Sequence, residues 1–343
     1  MRQFDFVSYF KALAAKPQFR RDLLLGAVSL ALGLALASYW IGERKPEAPA
    51  GPLVPSASEQ ASAPLTPEPA EPPHVTEPAE TKAPELAAAP EAPKAEKPAL
   101  REGGLPAWRR FAAIPETAPR EPMVAIVLDD MGPNRKGTER AMKLPATVTF
   151  AFLPYAPNVA ELVRAARDKG HEILVHVPME PVGSADPGPH ALRRAQSPDE
   201  IRANLEWNLA QFEGYVGINN HMGSRFTANA EGMRIVMEEL KPRGLMFLDS
   251  RTIGSSEAGN AARAAGVPAL TRNIFLDHDE EGAEVTAELG KLEKMARERG
   301  FAIAIGHPHP ETLQILEKWI PEAEARGISI VPLTAILRRH EAS

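Results

Sequence analysis

From Met123 to the end of the chain, short apolar runs alternate with stretches of helical periodicity, and this alternation confines the fold to one class. The runs are MVAIVL, TVTFAF, EILVHV, YVGIN, GLMFLD, VPALTR with NIFLD, FAIAIG and ISIV. Between them the spacing predicts helices over 158–169, 198–213, 230–241, 257–265, 283–299 and 312–326, with a last helix closing the chain. Strands alternating with helices of this length make βαβ units and a parallel sheet. About 220 residues with seven or eight such units fit one irregular (β/α) barrel, over 122–343, better than two smaller domains. A doubly wound open sheet is the alternative. No Gly-rich fingerprint follows the first run, which weakens a dinucleotide-binding reading.

The first 121 residues obey different physics. Residues 23–42, LLLGAVSLALGLALASYWIG, form an uncharged run of 20. At ~1.5 Å rise per residue such a helix spans about 30 Å, the thickness of a bilayer's hydrocarbon core. Tyr39 and Trp40 stand at its far end, where amphipathic rings favour the interface. The segment 1–22 carries Arg2, Lys11, Lys16, Arg20 and Arg21, which should keep it cytoplasmic and send the remainder across a bacterial-type inner membrane. The expectation is a single-pass anchor with the C-terminal domain in the periplasm or outside. The competing expectation is a cleaved signal and a secreted protein, since Ala35-Leu36-Ala37 fits a small-x-small cleavage site.

Residues 43–121 read as a disordered linker rich in Pro, Ala and Glu. More than half of the chain's prolines, 18 of 34, fall between Glu43 and Pro122. Up to Ala107 the linker holds no Ile, Phe, Tyr, Trp or Met, so it cannot bury enough apolar surface to offset its ordering entropy. The prolines bias it toward an extended, semi-rigid tether.

In a parallel barrel the carboxyl edge of the strands is the working face. After the successive runs come Asp129-Asp130; Pro154-Tyr155; His176 with Glu180; Asn219-Asn220-His221 leading to Arg225; Asp249-Ser250-Arg251; Asp277-His278-Asp279; and His307-Pro308-His309. Five of the nine histidines fall on this one rim. Adjacent carboxylates repel unless a cation lies between them, which makes Asp129-Asp130 more than a turn. Asp277-His278-Asp279 reads as a solvated charged turn, His309 as the start of a helix, and His171, at the wrong strand end, as structural. Tyr155, Asn219, Arg225 and Arg251 are the candidate substrate contacts.

The chain has no cysteine, which excludes disulfides, thiolate catalysis and Cys-based metal sites. A formal charge of −6 excludes a general nucleic-acid binder, which needs a basic face. Imidazole and carboxylate ligands without thiolate suit a divalent metal such as zinc, with iron, manganese or cobalt as alternatives. A metal held by three protein ligands lowers the pKa of a bound water to about 7. A neighbouring carboxylate can take that water's proton, and a histidine across the pocket can protonate a leaving group. The residues therefore read as a metal-assisted hydrolase.

The phrases AIVLDDMG, FAFLPY, GHEILVHVPMEP, NNHMGSRFT, FLDSRT and AIGHPHPET resemble, in order and spacing, the divergent polysaccharide deacetylase family, over roughly Met123 to Leu337. The resemblance implies an irregular (β/α) barrel that removes N-acetyl groups from an envelope polysaccharide. It assigns the base to Asp129, one metal ligand to Asp130, another to His176 and the general acid to His307, with Asp249 orienting His307. In the wider family a second metal histidine lies four residues after the first, where this chain has Glu180. An Arg–Pro motif is replaced here by the HMGSR loop. His221 is therefore the candidate for the missing ligand, with Glu180 competing. The alternative function is a non-catalytic, membrane-tethered module that binds glycan or organises the envelope. A third is a barrel hydrolase acting on another amide or a phosphoester.

Overall fold

The computed structural model describes residues 104–113, 120–278 and 282–342. The expected membrane span and most of the linker lie outside the described residues. Among the described residues, no helix is long and apolar enough to cross a membrane.

Each apolar run becomes a strand and each periodic stretch a helix. The order is α1 (Ala107–Arg110), β1 (Met123–Met131), α2 (Arg135–Ala141), β2 (Thr149–Phe152), α3 (Val159–Asp168), β3 (Ile173–Met179), α4 (Pro198–Leu209), β4 (Gly217–Met222) and α5 (Ala230–Leu240). There follow β5 (Met246–Asp249), α6 (Ala258–Ala265), β6 (Ala269–Thr271), β7 (Ile274–Phe275), α7 (Gly282–Arg299), β8 (Phe301–Gly306), α8 (Pro310–Ala325), β9 (Ser329–Ile330) and α9 (Leu333–Ala342). Caps set several of these ends. Before α4, Ser197 and Glu200 form a reciprocal capping box with Pro198 at the first helical position.

The sheet runs β6-β5-β4-β3-β2-β1-β8-β7, with β9 added beside β1, and every pairing is parallel. A doubly wound sheet reverses its order at a switch point; this order never reverses, and the parallel sheet curls into a half-barrel consistent with a (β/α) barrel. Its two edges, β6 on β5 and β7 on β8, are consecutive in the chain and separated only by Arg272 and Asn273. Asn273 bridges there, its backbone N–H donating to Ile303 and its side-chain oxygen accepting from Ile303 N at 2.8 Å.

Side chains on a strand alternate in direction, and two apolar groups result. Ala125, Val127, Ala151, Leu174, Met246, Leu248, Leu270, Ile303 and Ile305 meet in one cluster, which lines the inside of the curl. Their chain neighbours Ile126, Leu128, Phe150, Phe152, Val175 and Phe247 pack outward with the helices in the larger cluster. The inner cluster is closed at the amino ends of the strands by Leu333, Ile336 and Leu337 of α9 and by Trp108.

Trp108 corrects the domain boundary. By composition residues 104–113 belong to the linker, yet α1 folds onto the sheet. Trp108 is 2% exposed and its N–H donates to Gly244 O at 3.0 Å. This large aromatic, with buried Ala107 and Ala113, anchors a segment too short to show a period.

The same end holds a buried carboxylate. Glu172 is fully buried and accepts from Ala113 N at 3.3 Å, Thr149 Oγ1 at 3.4 Å, Thr334 N at 3.0 Å and Thr334 Oγ1. It thereby ties residue 113, β2 and α9 to β3. Replacing Glu172 with Ala leaves two buried backbone N–H groups without acceptors, at about 1–3 kcal/mol each. Chemical denaturation of Glu172→Ala should show a loss of about 3 kcal/mol, with no change in metal content.

Candidate functional site

The inward alternation that builds the core continues into the site. Two residues beyond Val127 comes Asp129, beyond Leu174 comes His176, and beyond Ile305 comes His307. Each of these inner positions lies at the carboxyl end of its strand, around one mouth.

β1 carries the acidic pair on an irregularity. It runs to Met131, further than its apolar residues alone suggest, and its register with β2 passes from Leu128↔Phe150 to Met131↔Phe152. One extra residue on β1 is a bulge, which breaks the alternation and re-aims a side chain. Asp130 sits in it with φ +52°, a left-handed conformation that Asp tolerates better than most residues. Asp129 and Asp130 consequently face the same imidazole. His176 Nε2 lies 3.6 Å from Asp129 Oδ2 and 3.2 Å from Asp130 Oδ1.

β4 supplies the next pieces. Asn219 is directly opposite His176 in the ladder and His221 is opposite Pro178. Being two apart, Asn219 and His221 share the inner face, and His221 Nδ1 reaches within 2.8 Å of Asp130 Oδ1 and 3.3 Å of His176 Nε2. Asn220 points the other way and steadies the loops, accepting from Ser250 N at 2.9 Å and donating to Met222 O at 2.7 Å.

Asn219, expected to touch substrate, instead links the two halves of the site. Its amide donates to Asp129 Oδ1 at 2.8 Å and Ser250 Oγ at 3.3 Å, so its oxygen is the atom facing His176 Nδ1 at 2.8 Å. That oxygen can only accept, so His176 carries its proton on Nδ1 and presents a lone pair at Nε2.

Asp130, His176 and His221 thus converge, their ligand atoms within 4.8 Å of one another. Asp130 Oδ1 is buried between two imidazole nitrogens, 3.2 Å from His176 Nε2 and 2.8 Å from His221 Nδ1. A carboxylate oxygen and two ring nitrogens converging this closely fit a divalent cation with nitrogen and oxygen ligands. Burial opposes the charge of Asp130, yet the two imidazoles hold its carboxyl well below the usual range. Burial also opposes a charged His176, but Asp129 and Asp130 raise it. For Asp129, 3% exposed, burial wins and pushes the carboxyl up against the pull of His176 and His307.

On the opposite wall His307 Nε2 faces Asp130 Oδ2 at 3.8 Å. Its Nδ1 is 3.0 Å from Asp277 Oδ1, and its backbone N–H donates to Asp277 Oδ2 at 2.7 Å. Thr312 Oγ1 donates to the same oxygen at 2.9 Å. Burial works against a charged His307, but Asp277, with help from Asp130 and Asp129, carries its pKa up to about 9.

Three sequence expectations need correction. Asp249 does not orient His307. Met246 and Leu248 face inward, so Asp249 faces away from the mouth, and its carboxylate accepts from Arg251 N at 2.8 Å. The partner of His307 is Asp277, which is buried and is not part of a solvated turn. The signal was present in the sequence, since Asp277 follows the inward-facing Phe275 by two residues. Glu180 is not in the ligand group. Its carboxylate accepts from Arg194 N at 2.7 Å and pairs with Arg225 Nε at 3.3 Å, which fixes the loop after β3.

The remaining candidates flank the mouth. Tyr155 is half-buried with its ring against Gly188, where a Cβ would approach the ring to 2.7 Å. Burial, then the charges of Asp130 and Asp186, raises its phenol. Arg225 also contacts Pro181 O at 3.4 Å. Arg251 is exposed at φ +49°, its carbonyl accepting from Arg272 at 3.1 Å. His171 stacks on Phe150 at 4.2 Å and its Nδ1 meets Val148 O at 3.0 Å, a structural role.

Residues 126–337 match the model of the divergent polysaccharide deacetylase family. The uncharacterized protein YibQ of Escherichia coli K12 is 38% identical over 197 residues, 57% of this chain. The match spans 62% of YibQ, less than two thirds of its length. An uncharacterized protein of Haemophilus influenzae is 40% identical over 198 residues, covering 57% of this chain and 69% of that one. The crystal structure of an uncharacterized protein from Agrobacterium tumefaciens C58 superposes with a TM-score of 0.68 at 31% identity, covering 70% of this chain and 99% of that one.

Proposed function

Because the chain belongs to the divergent polysaccharide deacetylase family, we propose that it is a metal-dependent hydrolase that removes N-acetyl groups from an envelope polysaccharide. The observation that carries this reading is the convergence of Asp130, His176 and His221, whose ligand atoms lie within 4.8 Å of one another. Asp130, His176 and His221 would hold the cation. Zinc suits the ligand set, and iron, manganese or cobalt are the alternatives. When bound, the cation supplies an acidified water and a Lewis acid for the acyl oxygen.

The protein's own groups do the rest. Asp129 accepts the proton of the attacking water, and its raised pKa brings it nearer the working range of a base. Asn219 holds that carboxylate and His176 in one arrangement, so base and ligand keep their spacing. His307, protonated through its contact with Asp277, gives its Nε2 proton to the departing amine. Tyr155 offers an aromatic face and Arg225 and Arg251 offer donors to the sugar. The exported, membrane-anchored placement belongs to the same proposal and rests on the uncharged run at residues 23–42.

The test is acetate release from N-acetylglucosamine oligomers by zinc-loaded protein, wild type against Asp129→Asn. The variant should retain its zinc and lose about 10²–10⁴-fold in kcat, the usual weight of a general base. Absence of release from any acetylated glycan at one bound equivalent of zinc removes the enzyme reading and leaves the glycan-binding one.

A further inference from the structure

A second metal-capable group stands on the same rim. Asp277, His307 and His309 each present a ligand atom within 4.8 Å of the others. Asp277 Oδ1 and His307 Nδ1 are 3.0 Å apart. The rings of His307 and His309 have centroids 5.5 Å apart with planes at 49°. Ligand atoms around a tetrahedral zinc lie roughly 3.3 Å from one another, from bond lengths of about 2.0–2.1 Å. The first pair is therefore already at coordination spacing, and only the half-buried imidazole of His309 has to turn.

The setting favours such a site. His307 and His309 sit on a segment stiffened by Pro308 and Pro310, with His309 as the cap of α8. The second oxygen of Asp277 is held by His307 N and Thr312 Oγ1, an outer set of hydrogen bonds that aims the carboxylate. Asp130 stands between the two groups, with Oδ1 at His176 and His221 and Oδ2 3.8 Å from His307 Nε2. One carboxylate thus screens two cations from each other.

We propose that Asp277, His307 and His309 form a second, inhibitory zinc site, filled only after the group at Asp130. The inhibition rests on the reading of His307 as the proton donor. Zinc entering here breaks the Nδ1–H bond of His307 and forms a Zn–N bond, and the proton leaves to solvent. Asp277 exchanges its hydrogen bond for a Zn–O bond. His307 then keeps one proton, on Nε2, and releasing it leaves an imidazolate instead of a neutral ring. The acid is disabled. The second site is also the weaker one, because filling it breaks the hydrogen bond between His307 and Asp277, whereas His176 already presents a lone pair at Nε2.

The experiment titrates the full-length, metal-stripped protein with zinc by equilibrium dialysis and with cobalt by visible absorption, while following acetate release. Wild type should bind two equivalents, the second at least tenfold more weakly. Activity should rise with the first and fall at least tenfold with the second. His309→Asn places a favoured cap residue where His309 makes no side-chain capping bond, and so keeps the fold. It should bind a single equivalent and hold its activity in excess zinc. One equivalent in wild type, or two in His309→Asn, overturns the proposal. A second equivalent lost in His309→Asn, with no acetate release at any zinc level, supports the site and overturns the hydrolase reading instead.

Discussion

Asp130→Asn should leave the protein folded, without its cation, and about 10³-fold less active in acetate release. Asn has the shape of Asp without the charge. Asp130 sits at φ +52°, which Asn adopts readily and Ala does not, so the amide variant isolates charge from backbone strain. With the carboxylate gone, two imidazoles face a neutral amide, and the site retains no negative ligand for a divalent cation. A Lewis acid contributes several kcal/mol to stabilising developing charge, and each ~1.4 kcal/mol is tenfold in rate, which sets the scale of the loss. Zinc content by mass spectrometry should fall below about a tenth of an equivalent, while the circular dichroism melt stays within a few degrees of wild type. An Asp130→Asn protein that binds zinc as tightly as wild type would show that the three converging side chains are not the cation's ligands.

The strands and helices were legible because burial writes its period into sequence. MVAIVL and FAIAIG are apolar on both faces, since one face fills the curl and the other meets helices. What failed were elements without that period. The α2 segment, RKGTERA, buries only Gly137, Thr138 and Ala141, and it is held by Asn134 accepting from Gly137 N at 3.1 Å, so no apolar stripe announces it. Residues 104–113 fail for the same reason, with one tryptophan carrying the attachment.

The site was legible in its residues and less so in its wiring. The polar groups that follow each strand include both aspartates of β1 and the histidines, but sequence position alone makes all places near a strand end look equal. They are not. A step of one residue turns a side chain to the other face. That step separates Asp249, one beyond the inward Leu248, from Asp277, two beyond Phe275. The bulge at Asp130 cuts the other way, because it brings to the mouth a residue that strict alternation sends outward. Glu180 has the spacing of a ligand and nothing more. The backbone of Arg194, fourteen residues later, claims its carboxylate, and no local pattern reveals that.

Asp277→Asn should cost about 10²–10⁴-fold in kcat with little change in KM and no loss of zinc from the Asp130 group, the scale set by losing a general acid. The reason is the direction of three hydrogen bonds. Asp277 Oδ2 accepts from His307 N at 2.7 Å and Thr312 Oγ1 at 2.9 Å, and Oδ1 faces His307 Nδ1 at 3.0 Å. An asparagine has one accepting oxygen. Two donors at the Oδ2 position outbid one at Oδ1, so the oxygen goes there and the amide NH₂ turns to His307 Nδ1. That nitrogen must then accept, and the ring's proton is confined to Nε2. A neutral ring protonated only at Nε2 yields an imidazolate when it donates, whereas the wild-type imidazolium yields a neutral imidazole still bonded to Asp277. The variant keeps the imidazole in place and removes its use as an acid, the logic by which an Asp-to-Asn change behind a catalytic histidine sets the wrong tautomer. Nitrogen-15 spectra of the histidine ring should report the switch, from a His307 imidazolium protonated on both nitrogens to a neutral ring protonated on Nε2 alone. Wild-type kcat in Asp277→Asn, with the proton on Nε2, would mean that His307 does not protonate the leaving group.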